Sequence, residues 1–281
     1  MSAAASSELR TRTIVGAGLI VIALAALGLG GFYFWLILTI AAVLMIGEWA
    51  DLHRAGPRAK RLSQFALFVP LVLAAPAWVI GETRDFFTLG LLAGAAFFVV
   101  IVTRAPRLAL GVLYAGLPVL GLVVIRRQVG IVPVGGHQLV EGLTFTIWAL
   151  ALVWATDIGA YFAGRAIGGP KLWPEVSPNK TWAGLVGGVL AASLFGLAMH
   201  YGVGLPLRLT LATPVLAVLA QGGDLYESAL KRRAGVKDSG TLLPGHGGTM
   251  DRLDGLVPVA PVAAALVVLP SILAFVHQQF G

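Results

Sequence analysis

Between Gln221 and Asp254 the chain gathers, within 34 residues, the kind of ionisable groups that the rest of it largely lacks. Asp224, Glu227, Asp238, Asp251 and Asp254 stand against Lys231, Arg232, Arg233, Lys237 and Arg252, five carboxylates to five cations. With a divalent ion on some of the carboxylates, metal and basic side chains together suit a highly charged anion such as a nucleoside triphosphate. In a helix, Asp224, Glu227, Ser228 and Lys231 fall at i, i+3, i+4 and i+7 and share one face. Gly235 can stop that helix, placing Arg232 and Arg233 in its last turn, at the negative end of the dipole. The run Leu243-Pro244-Gly245-His246-Gly247-Gly248 that follows permits tight turns and close approach of backbone to a ligand. Asp251 and Asp254, three apart, can share a helix face. His246 is either a phosphate contact or a turn histidine; His53, His137, His200 and His277 lack ligand spacing.

Two further segments carry chemistry. Asp157 interrupts the apolar run WATDIGAYFAGR, and a carboxylate at membrane depth costs on the order of 2.5–3.5 kcal/mol, so it should face protein or water. Tyr161 and Arg165 lie on much the same face, leaving open a purely structural hydrogen-bonded cluster. In KLWPEVSPNKTWAG, Ser177 or Thr181 can cap the next helix, whose N-terminal amides together with Lys180 would bind an anion. The dipeptide Gly-Lys occurs nowhere in the chain, which excludes a Walker-type phosphate loop.

The elements that must hold these groups are membrane helices. Of the 281 residues 58% are hydrophobic and 12% charged, with a mean hydropathy of +0.88, which overrides the soluble-domain expectation from length. Apolar runs near 13–30, 31–47, 63–81, 85–102, 107–125, 143–164, 182–201, 208–223 and 255–276 predict an all-α, polytopic integral membrane protein of about nine spans. Residues 1–125 are expected to form five N-terminal spans and 126–281 a catalytic region. The first run is read as an anchor rather than a cleaved signal peptide. In that arrangement only Arg84, Arg126, Arg127 and Arg208 of the 20 Lys and Arg fall on one side. The bias puts the N-terminus and a polar cleft around 221–254 in the cytoplasm, in the inner membrane of the cell. The net charge of +7 is explained by this orientation and by anionic headgroups, with no need of nucleic acid. Glu48, Asp51 and Arg54 read as a solvated helix end. Trp35, Trp49, Trp78, Trp148, Trp173 and Trp182 read as interfacial anchors, and Gly90/Gly94, Gly164/Gly168 and Gly184/Gly188 as close-packing pairs.

At these residues the sequence resembles the phosphatidate cytidylyltransferases, or CDP-diacylglycerol synthases. The signature is carried by Ser228-Ala229-Leu230-Lys231-Arg232, Lys237-Asp238, His246-Gly247-Gly248 and Asp251-Arg252-Leu253-Asp254. Asp157 with Gly159-Ala160-Tyr161, the Ser177-Pro178-Asn179-Lys180-Thr181-Trp182 element and Gly223-Asp224-Leu225 also match. The likeness is close over about residues 148–260; Thr249 and Gly222 depart from the usual pattern.

The resemblance implies transfer of CMP from CTP to phosphatidic acid, with magnesium and a nearby potassium ion. Asp224 and Asp251 would be the principal magnesium ligands, supported by Asp238 and Asp254. Lys180, Lys231, Arg232, Lys237 and Arg252 would hold phosphate, Asp157, Ser177, Thr181 and Ser228 would supply polar contacts, and His246, Gly247 and Gly248 would close over the nucleotide. On this view Asp251→Asn abolishes turnover with little loss of stability. Expected partners are CTP, phosphatidic acid and membrane lipids, with a homodimer a further expectation. Rival readings are a CTP-dependent kinase of polyprenol or phytol, and a transporter that uses Asp157 as a coupling carboxylate.

Overall fold

The computed structural model of the chain describes residues 3–80, 85–134, 137–242 and 247–280. Eleven helices and two short strand pairs follow one another along these residues. They are α1 (Ala3–Leu29), α2 (Gly31–Leu52), α3 (Pro57–Leu73), α4 (Ala77–Ile80), α5 (Asp85–Thr103) and α6 (Pro106–Arg126), then the strands β1 (Ile131–Val134) and β2 (His137–Val140). Next come α7 (Glu141–Ile167), the strands β3 (Lys171–Trp173) and β4 (Ser177–Thr181), α8 (Trp182–Val203), α9 (Leu207–Ala234), α10 (Met250–Leu253) and α11 (Leu256–Phe280). Both strand pairs are antiparallel.

Five helices among the described residues are long and apolar enough to cross a membrane: Gly31–Leu52, Pro106–Arg126, Glu141–Ile167, Trp182–Val203 and Leu256–Gln279. The other apolar runs of the sequence fare differently. The run at 63–81 is cut where α3 ends at Leu73. The run at 208–223 continues without a break into the charged half of the 28-residue α9.

The chain forms two compact units, residues 1–120 with 229–253, and residues 121–228 with 254–281. The first unit is held at Trp49, which is 2% exposed. Its indole donates to the carbonyl of Arg107 at 2.8 Å and packs on the rings of Tyr114 and His53. Gly111 makes room for that ring, since any Cβ there would collide with it. Trp35 likewise donates to Leu71 O at 2.7 Å. Leu67, Leu71, Leu92 and Val112 fill the rest of this core without measurable exposure.

In the second unit α7 and α8 approach backbone to backbone. A Cβ on Gly188 would press on Thr156 O, and one on Gly184 would stand 3.0 Å from Ala160 O. Gly90, Gly94 and Gly168 meet nothing within 4 Å, so of the three predicted glycine pairs only Gly184/Gly188 serves helix contact at both members. Trp148, fully buried, donates to Thr213 Oγ1 at 3.0 Å. Trp35, Trp49 and Trp148 are therefore core residues rather than the interfacial anchors the sequence suggested; each hides its ring while giving its N–H a partner. Trp78, Trp173 and Trp182 are exposed, as an anchor would be.

Candidate active site

The helix expected over the signature is present. α9 ends at Ala234, and Gly235 follows with φ +78°, its N–H donating to Arg232 O. Ser228 Oγ donates to Asp224 Oδ1 at 3.3 Å, the contact that four-residue spacing on a helix allows. Glu227, between them, is fully buried.

In the second unit α7, β4, α9 and the turn before α11 bring their polar groups together. Lys180 Nζ, from β4, stands 2.6 Å from Asp224 Oδ2, with the lysine side chain 19% and the aspartate 32% exposed. Asp157, exposed on α7, accepts from Gln221 Nε2 at 3.4 Å. Asp254, just before α11, accepts from the Gly255 amide at 2.7 Å. Burial first, and then the negative charge of Asp224, push the Asp254 carboxyl up to about 7, with Asp157 adding to the rise and the Gly255 amide and Lys180 opposing it. Three carboxylates thus feel one another around a single lysine, and that excess of negative charge favours a cation. Tyr161 and Arg165 pair with each other at 2.8 Å.

Thr181 is a helix cap. Its Oγ1 accepts from the Gly184 amide at 3.0 Å at the start of α8, and the residue is 4% exposed. Ser177 opens β4 opposite Trp173 and makes no such cap.

In the first unit the centre is Asp251. Its Oδ1 lies 2.5 Å from Lys231 Nζ. Its Oδ2 accepts from the Ser239 amide at 2.8 Å, the Gly248 amide at 2.8 Å and the Ser239 hydroxyl at 2.9 Å. Gly248 allows this closeness, because a Cβ would collide with Ser239 Oγ and Glu48. Gly247, at φ +79°, turns the chain into position. Lys237, Asp238, Arg232 and Arg252 are exposed. His246 lies outside the described residues. α10 ends at Leu253, so Asp254 is not on the helix that carries Asp251.

One participant was misread. Glu48, expected to be solvated, is 8% exposed and accepts from the Thr249 amide at 2.7 Å, the Met250 amide at 2.8 Å and the Ser239 hydroxyl at 2.9 Å. The available signal was that apolar Trp49 and Ala50 follow it, so that the polar end begins only at Asp51.

A magnesium ion fits the donor chemistry. Both principal aspartates present hard carboxylate oxygens, and each already holds a cation, the ammonium of Lys180 or of Lys231. Among the described residues no three carboxylate or histidine side chains converge closely enough to ligate one ion by themselves. Water or substrate oxygens would complete the coordination, as magnesium prefers.

The model of the cytidylyltransferase family matches residues 10–269. A protein of Brucella abortus (strain 9-941) named phosphatidate cytidylyltransferase is 37% identical over 286 residues, covering 98% of this chain and all of the relative. One of the same name from Brucella suis (strain 1330) is 39% identical over 272 residues, 94% of this chain and 93% of the relative. The Bacillus subtilis protein of that name is 47% identical over 131 residues, 46% of this chain and 49% of its own.

Proposed function

The chain belongs to the cytidylyltransferase family, and from that premise we propose how its polar residues carry the transfer of CMP from CTP to phosphatidic acid, giving CDP-diacylglycerol and pyrophosphate. The observation that carries the activity is the likeness over nearly the whole chain to relatives named for it. A phosphatidate phosphate is already anionic at neutral pH. One of its oxygens forms the new bond to the α-phosphorus of CTP while the bond from that phosphorus to the α–β bridging oxygen breaks and pyrophosphate leaves. No proton has to be removed first, so catalysis is positioning and charge neutralisation.

Asp224 and Asp251 are the magnesium ligands in this reading, with Asp254 and Asp238 in support. Bound there, magnesium supplies charge neutralisation at the triphosphate and the departing pyrophosphate. Lys180 and Lys231 now sit on the aspartates, and exchange of the lysine ammonium for the metal would release each lysine toward a phosphate. Lys237, Arg232 and Arg252, exposed around the loop, are suited to meet anionic substrate. Gly247 and Gly248, with His246, close the backbone over the nucleotide, while Asp157, Ser177 and Ser228 supply polar contacts. Thr181 contributes by fixing the start of α8 beside Lys180. A potassium ion and a homodimer belong to the same reading by family likeness alone. The nine spans rest instead on the apolar runs of the sequence, and the placing of the N-terminus and a polar cleft at 221–254 in the cytoplasm on the distribution of Lys and Arg.

The test is direct. Purified protein incubated with labelled CTP, phosphatidic acid and magnesium should yield labelled CDP-diacylglycerol and pyrophosphate. Label transferred from the γ-phosphate to a lipid alcohol would instead identify a kinase.

A further inference from the structure

We propose that Glu48 is a positioning residue for the reaction, holding from α2 the loop that presents Asp251. It lies 191 residues before Ser239 in sequence, yet both its oxygens are engaged there. Oε1 accepts from the Thr249 amide, and Oε2 accepts from the Met250 amide and the Ser239 hydroxyl, all within 2.9 Å. Thr249 and Met250 immediately precede Asp251 in the chain, and Ser239 touches it. The Ser239 hydroxyl stands 2.9 Å from Glu48 Oε2 and 2.9 Å from Asp251 Oδ2. Having one proton, it can donate to only one of them at a time. Glu48 and Asp251 are thus joined through Ser239.

The helix carrying Glu48 is itself fixed. The neighbouring Trp49 is locked by Arg107 O, and Gly47 packs against Gln64 and Lys60. Gly240, whose built Cβ would stand 3.1 Å from Glu48 Oε1, and Gly248 let the loop settle onto the carboxylate. This pattern matches what a metal-binding aspartate requires of its surroundings, which is an outer set of donors that fixes the orientation of the ligating oxygen. With Oδ2 held by the Ser239 and Gly248 amides and within reach of the Ser239 hydroxyl, Oδ1 is the oxygen left facing Lys231.

The inference rests on the reading of Asp251 as a metal ligand, and the experiment separates the two. Glu48→Gln places one amide N–H₂ against donors that need an acceptor. Ser239→Ala cuts the link to Asp251 while leaving both backbone bonds to Glu48. In each variant, Mn²⁺ binding measured by electron paramagnetic resonance without substrate and the magnesium concentration for half-maximal activity should both shift by about 10-fold or more. The double variant should shift little further, because the residues act through one connection. Asp51→Asn, which removes an exposed partner of Lys60 on the same helix, should bind Mn²⁺ as the parent does.

Unchanged Mn²⁺ binding in Glu48→Gln and Ser239→Ala, with only a lowered melting temperature, would overturn the proposal. If Glu48→Gln does not fold, Ser239→Ala decides it by the same two readouts. If the parent binds no Mn²⁺, the metal reading fails. The hold of Glu48 on the loop is then read from hydrogen exchange at Thr249 and Met250, which should quicken at least about 10-fold at one of the two amides in Glu48→Gln, which keeps a single acceptor oxygen, and at both in Glu48→Asp, whose shorter side chain withdraws from them. Unchanged exchange would refute it.

Discussion

Lys231 Nζ and Asp251 Oδ1 stand 2.5 Å apart, with the two side chains 14% and 8% exposed. The other oxygen belongs to the loop. One side chain therefore divides its work between a cation and the backbone that positions it.

That division changes what Asp251→Asn should do. Turnover should fall by at least about 1000-fold, since roughly 1.4 kcal/mol of lost transition-state stabilisation costs tenfold in rate. Sequence reasoning expected stability to be spared. With Ser239, Gly248 and Lys231 all donating, an asparagine leaves a buried donor unmet, at about 1–3 kcal/mol. Product assay and thermal unfolding check the two halves; normal activity with unchanged magnesium dependence would refute the metal role of Asp251.

Lys180→Met should raise the KM for CTP by about 10-fold or more, because losing a charge-assisted phosphate contact costs about 1.5–3 kcal/mol. Lys180→Arg should restore part of the loss. Steady-state kinetics at saturating phosphatidate decide it, and an unaltered KM would make the pair with Asp224 structural.

Thr181→Ala should cost about 1 kcal/mol of stability through the lost cap of α8 while leaving KM values in place. A KM change without a melting-temperature change would mean that Thr181 touches substrate.

In metal-free buffer the Asp254 carboxyl, raised to about 7 from an ordinary 3.8, binds a proton in the folded chain over a range where the unfolded chain has released it. Its contribution to stability is therefore full below the ordinary value and is lost as pH rises through about 7. The melting temperature should fall across that window, and Asp254→Asn should flatten the fall. Identical slopes in parent and variant would contradict the assignment.

The chain has no cysteine, so a single introduced thiol reports orientation cleanly. Ser239, buried against Glu48, is a poor site for it; Lys237 is exposed. Lys237→Cys should react with an impermeant maleimide in inverted vesicles and not in intact cells, and the reverse would invert the topology.

The helical character of the chain and the run from Asp224 to Gly235 were legible because they rest on local periodicity and a helix stop. Lys180 was expected at an anion site; its pairing with Asp224, which lies on α9, emerges only from packing. The burial of Glu48 was hinted at only by the apolar Trp49 and Ala50 that follow it. At the end of a span beside Asp51 and Arg54 a carboxylate looks like an interfacial group, and the donors that bury it lie about 200 residues onward. The tryptophans misled for a related reason, since hydropathy marks a span end without saying whether the indole there faces lipid or another helix. The run at 208–223 merged into charged α9 because apolar length is read without regard to what the helix continues into.

The separation of 201 positions from Glu48 to Thr249 also sets a timetable for biosynthesis. At roughly 5–20 residues per second the ribosome needs on the order of 10–40 s to complete the loop after α2 has emerged. Through that interval the carboxylate of an early helix waits without the amides it will bind. The last turn of α2 must therefore remain near polar headgroups or the insertion machinery until the distant loop arrives, and a chain released before about residue 250 leaves an acidic group with no place to be buried.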